Sequence, residues 1–175
     1  MSETPPTPNG APAGASGDAA AVDPNNPPSL SVLAQYLKDL SFENPRAPQS
    51  FQGEGSPKID VNVDVQARTL GNDQYEVELS LAARAKRDDD AVFVVEATYA
   101  GAFEIKNLPR EQLEMIMLVE CPRLLFPFMR QIVAEATRNG NFPPLMLEPI
   151  DFMGIYMANA EKRRQEQGSG APVTV

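Results

Sequence analysis

The sequence predicts an α+β domain: a four-stranded antiparallel sheet followed by helices packed on one of its faces. Three observations carry this. Residues 58–106 alternate apolar and polar side chains between short turns, residues 107–139 switch to helical spacing, and sheet-forming segments precede helical ones without interleaving.

In chain order, residues 1–28 hold seven prolines, six alanines and three glycines, with no aromatic residue, lysine or arginine. Such a segment cannot bury enough apolar surface to offset chain entropy, so 1–29 is expected to be a disordered tail. The domain is expected over 30–165, with a flexible tail over 166–175. Leu30–Glu43 is locally ambiguous, although Leu33, Tyr36, Leu37 and Leu40 have helical spacing. Asn44-Pro45 and Ala47-Pro48 end that element, and a Pro/Gly/Ser loop runs to Pro57.

Ile59, Val61, Val63 and Val65 alternate with Asp60, Asn62, Asp64 and Gln66, predicting a half-buried strand. Gly71-Asn72-Asp73 supplies a turn. Tyr75, Val77, Leu79 and Leu81 then alternate with Glu76, Glu78, Ser80 and Ala82, closing an antiparallel hairpin. After Asp88-Asp89-Asp90, a further strand is expected from Ala91 to Ile105, bulged or bent near Gly101. Asp60, Asp64, Glu76 and Glu78 gather on the polar face, where exposure leaves no reason for a tuned carboxylate. Val92 and Val94 share a face with Glu96 and Thr98. An apolar spot framed by carboxylates suits a partner with a basic, partly apolar surface.

Asn107 is a plausible helix cap before Pro109, and Leu113, Ile116 and Met117 form an apolar face. Pro122 disfavours helical geometry at Cys121, so the helix is expected to end or kink there. Leu125, Phe128, Met129, Ile132, Val133 and Ala136 form a second stripe, stopped by Gly140. The loop FPPLMLEP is too apolar to stand in water and should lie against something. A closing helix is expected over Asp151–Gln165, with the basic EKRR at its end.

Composition narrows the function. There is no histidine, which removes histidine-based nucleophile pairs and metal sites. Cys121 is alone and reads as a small buried hydrophobe. No glycine-rich phosphate loop, GxSxG or CxxC occurs. No enzyme, metal or cofactor is therefore expected. The net charge of −9 argues against nucleic acid and favours basic partners. No signal peptide or spanning segment is visible, so a cytoplasmic protein without direct membrane insertion is expected. Phe126, Phe128, Met129, Phe142, Leu145, Met146, Leu147 and Phe152 are many apolar groups for one small core. Oligomer contacts or a groove for apolar segments would absorb the excess. A carrier of a small apolar ligand or lipid is the alternative, and it would need an enclosed pocket.

Three blocks in order, KDLSFENPRAP (Lys38–Pro48), CPRLLFPFMRQ (Cys121–Gln131) and NGNFPPLMLEPIDF (Asn139–Phe152), resemble the SecB family of bacterial protein-export chaperones. The resemblance covers roughly Leu30 to Ala160. It implies a homotetramer, a dimer of dimers, and it makes Leu33–Glu43 the first strand against the local helical spacing. It also implies a holdase that works without ATP, binds unfolded secretory precursor proteins in apolar grooves and delivers them to the SecA translocase ATPase. By motif match, Asp39, Glu43, Val94 and Glu96 are expected on the SecA-docking face. Phe93, Phe128 and Phe142 are expected in the client groove, and Ala97 and Tyr99 in the control of association.

Overall fold

A computed structural model describes residues 26–168. Most of both expected tails lies outside these residues. Four strands, β1 (Ser29–Glu43), β2 (Lys58–Gly71), β3 (Gln74–Arg87) and β4 (Asp90–Lys106), form one antiparallel sheet in the order β1-β4-β3-β2. Tight turns join β2 to β3 and β3 to β4; Asn72, Asp73 and Asp88 take the positive φ that such turns need. β1 and β2 are opposite edges, so the chain between them must cross the end of the sheet. The Pro/Gly-rich segment 44–57 makes that crossing.

β1 is a strand, as the family resemblance implied. Its local helical spacing has a physical origin. The ladder to β4 shifts register between Val32 and Ala34 and again between Leu37 and Asp39. Bulges at Leu33 and Lys38 break the two-residue alternation, leaving apolar side chains at intervals that imitate a helix. Gly101, by contrast, is not bulged: it pairs in unbroken register with Gln35 and Val77. Its missing side chain admits a close approach, since a Cβ there would lie 2.7 Å from the Phe103 ring and 3.0 Å from Leu125. The irregularity in β4 falls instead at Val92, where pairing jumps from Lys86–Ala91 to Ala85–Phe93.

One face of the sheet carries the core. Val77, Leu79, Leu81 and Ala83 of β3 lie beside Val95, Ala97 and Phe103 of β4, all buried. Helical residues Val119, Leu125, Met129 and Val133 close over them. Each large side chain so buried contributes about 1.5–3 kcal/mol.

The helical half departs from expectation or narrows it at three points. Asn107 does not cap a helix; it takes φ 60° and bonds the Asn26 side chain and the Pro27 carbonyl. Of the two alternatives at Cys121, an end or a kink, the helix does not take the first. α1 (Arg110–Met115) passes through a π-helical turn (Ile116–Glu120) directly into α2 (Cys121–Asn139). Pro122 has no N–H to donate, and its ring needs room near the carbonyl four residues back. A widened turn supplies that room without breaking the helix. Gly140 does follow the helix, but at an ordinary φ of −74°; the left-handed residue is Asn141.

Glycine is needed at 140 because the Phe42 ring fills the place of a Cβ. Gly140→Ala is expected to cost about 1–3 kcal/mol by overpacking, read as a lowered urea midpoint at unchanged slope. An unchanged midpoint would mean that Phe42 moves aside freely.

After α2 an extended segment runs over 142–151. Buried Thr137 fixes it: the hydroxyl donates to the Val133 carbonyl at 3.1 Å and accepts the Leu145 N–H at 2.9 Å. α3 (Phe152–Gly168) begins where Asp151 accepts the Gly154 N–H at 3.0 Å.

Candidate functional site

The sheet face away from the helices is polar. β1 presents Tyr36, Asp39, Ser41 and Glu43 there, and β4 presents Val94, Glu96 and Thr98. Register sets Glu43 opposite Val94, Ser41 opposite Glu96, and Asp39 opposite Thr98. The four docking residues expected from the family motif therefore occupy one end of one face, on adjacent strands. Ser41, Thr98, Ser80 and Ala82 are short, so the carboxylates stand above their surroundings. Val94 is half-buried, an apolar spot among them. Val92 does not join it; the β4 irregularity turns Val92 inward, where it is buried.

Further along the same face, Glu76 departs from the expected solvated carboxylate. It is buried and accepts hydrogen bonds from Tyr36 of β1 at 2.5 Å and Arg68 of β2 at 2.5 Å. Lys38 adds a contact at 3.4 Å and pairs with Glu78 at 2.5 Å. Tyr36 and Lys38 reach across β4, which carries only Ala100 and Ala102 at that level. One carboxylate thus ties three strands. The Arg68 bond, then the Tyr36 bond, hold its pKa down to about 2.

A depressed carboxyl contributes stability that is present above its ordinary value near 4.5 and lost as pH falls towards 2. Glu76→Gln is expected to cost about 1.5–3 kcal/mol at neutral pH, towards the lower end because Arg68 is largely in water. It should also flatten the acid limb of the melting temperature against pH. A variant that melts like the parent at pH 7 and pH 3 would remove Glu76 from the stability of the sheet.

The second feature lies where the helix-bearing face meets the edge strand β2. Phe142 and Phe93 pack with centroids 4.9 Å apart, with Phe51 at 5.2 Å and Phe42 at 6.3 Å from Phe142. Beside them a cleft of about 360 Å³ is lined by Ile59, Phe93, Phe142 and Leu145, under Gly55–Pro57 of the crossing segment. A second cleft, of about 420 Å³, shares Ile59 and Leu145 with the first and continues along Val61 and Val63 of β2 and 145–150. Together they make an open groove with an aromatic end and an aliphatic run. The segment FPPLMLEP forms its far wall, which is where that apolar loop finds its contacts. Ile59, Val61 and Met146 remain exposed in it.

Of the three expected groove residues, the structure brings together only two. Phe128 stands apart, stacked on Tyr99 with centroids 5.7 Å apart. α2 turns Leu125, Phe126, Met129 and Val133 inward and leaves Phe128 and Leu124 exposed. β1 likewise leaves apolar groups uncovered, Val32, Leu33, Leu37 and Leu40, and Leu37 pairs with the Tyr99 on which Phe128 stacks. Tyr99 therefore belongs with these groups. Ala97 is buried and pairs with Leu40, so any effect on association passes through its neighbours. Phe42 and Phe51 were missed by sequence reasoning; neither shares a periodic pattern with Phe93 or Phe142, and only folding assembles the four. Cys121 is fully buried, and burial, then the charge of Glu120, pushes its thiol up to about 12. It is packing.

Among the described residues there is no cluster of metal-binding side chains and no helix long and apolar enough to cross a membrane. A family profile described as preprotein translocase subunit SecB matches residues 23–163. The protein-export protein SecB of Maricaulis maris is 51% identical over 152 residues, covering 83% of this chain and 88% of that protein. Its counterpart in Afipia carboxidovorans is 48% identical, covering 88% and 96%. Among solved structures, a SecB-like chaperone of Mycobacterium tuberculosis, in complex with a ChAD peptide from the HigA1 antitoxin, superposes with a TM-score of 0.58. It is 20% identical, covering 70% of this chain and 91% of that one.

Proposed function

The chain belongs to the SecB family, and on that premise we propose that it is a cytoplasmic, ATP-independent holdase for unfolded secretory precursors. The observation that carries the proposal is the open groove from Phe93 and Phe142 along Ile59, Val61 and Met146. An extended apolar chain fits such a groove, whereas a folded protein presents nothing to fill it. Aromatic rings and methionine tolerate many side-chain shapes, so the groove would select for exposed apolar sequence over any particular motif. A small-ligand carrier needs an enclosed cavity, whereas Ile59, Val61 and Met146 stand exposed in these clefts.

The uncovered apolar groups of β1, with Leu124 and Phe128, are numerous enough to need a cover, and a second copy of the chain is the natural one. Assembly into a dimer of dimers would place several grooves in one particle and raise avidity for a long client without new contacts. Asp39, Glu43, Val94 and Glu96 face away from the groove, so the SecA translocase ATPase could dock there while a client stays bound.

Two experiments test this. Refolding of an unfolded precursor should slow markedly at one assembly per precursor; an unchanged rate would contradict holdase activity. Glu96→Lys should lower SecA affinity about tenfold or more at low salt, because it replaces an attraction by a repulsion, and the difference should shrink as salt rises. Unaltered affinity would move the docking face elsewhere.

A further inference from the structure

The docking face contains a cation of its own. Arg84 of β3 lies directly opposite Val94 on β4, diagonal to Glu96, and its Nη2 donates to Glu96 Oε1 at 3.4 Å. Among the described residues, Asp39 and Glu43 have no ion-pair partner, so Glu96 is the one docking carboxylate already engaged. On its other side Arg84 is directly opposite Asp60 of β2, again on the polar face. One exposed guanidinium therefore stands between two carboxylates, bonded to one and in register with the other.

We propose that Arg84 is a displaceable counter-ion: it occupies Glu96 in the free protein and passes to Asp60 when a cationic segment of the partner takes Glu96. The assignment rests on the docking face proposed above and adds a residue that sets its affinity. The bond is long, Arg84 is exposed and Glu96 about half so, so the pair is weak and exchanges readily. Directly opposed residues on one sheet face have their Cβ atoms within about 5.5 Å, so Arg84 can reach Asp60 by side-chain rotation alone. The handover keeps Arg84 neutralised in both states. Without Asp60, a docking cation would leave Arg84 unpaired beside it.

The test measures SecA affinity at low salt for the intact protein, Arg84→Gln, Asp60→Asn, the double variant and Glu96→Gln. Arg84→Gln should bind more tightly, by up to about threefold, because the Asp60 contact returns only part of the pair lost at Glu96. Asp60→Asn should bind more weakly, and that loss should largely vanish when Arg84 is also replaced. Arg84→Gln binding equally or more weakly while Glu96→Gln binds poorly would overturn the proposal, assigning Arg84 to the partner's own contacts or to none. Additive effects of the changes at 60 and 84 would overturn the handover. Should Glu96→Gln itself bind normally, the docking face fails and the role of Arg84 with it.

Discussion

A chain carrying Leu37→Asp with Leu40→Asp is expected to run well below the mass of four 19.0 kDa chains at micromolar concentration, the mass at which the proposed dimer of dimers would run. Leu37 pairs with Tyr99 and Leu40 with Ala97, so both face the helical side of the sheet. α2 covers only part of that side, and the two leucines are 45% and 42% exposed. Under a second copy each would be dry. A carboxylate placed in such an interface costs about 2 kcal/mol or more, and two of them weaken association about 10³-fold. In the isolated chain both positions are wet, so the secondary structure should survive. Retention of the parent mass would place the interface elsewhere.

The second large effect belongs to Phe142. Its ring touches Phe93, Phe51 and Phe42 and forms the junction between the aromatic end of the groove and the wall segment. Phe142→Ala removes the shared partner of three rings and is expected to lower affinity for an unfolded precursor about tenfold, near 1.4 kcal/mol. SecA affinity should stay constant, since the proposed docking residues lie on the other face. The ring is half-buried and also supports the fold, so binding is best measured well below the melting transition. Normal precursor affinity in a folded Phe142→Ala variant would remove the aromatic end from client binding.

Much of this was legible in the sequence, and the exceptions share a cause. β3 alternates cleanly because one of its faces is buried, and β2 because its Ile59–Val63 side lines the groove; their hairpin follows from Gly71-Asn72-Asp73. β1 is locally ambiguous because bulges at Leu33 and Lys38 displace its pattern; the family resemblance decided for a strand. A β4 bulge likewise took Val92 out of the apolar pair expected beside Glu96. Glu76 looked solvated because its partners come from residues 36, 38 and 68, joined to it only across the sheet. Phe128 fell on the expected helical stripe, yet α2 is turned so that Phe126 takes the inward place. In each case, local periodicity failed where a register shift or a neighbouring element decided which way a side chain points.

Native mass spectrometry of the protein mixed with an unfolded precursor tests the central claim most directly. The account predicts a species of four chains plus one precursor, with no such adduct once the precursor has folded. Four chains without precursor, or equal binding of folded and unfolded forms, would contradict it.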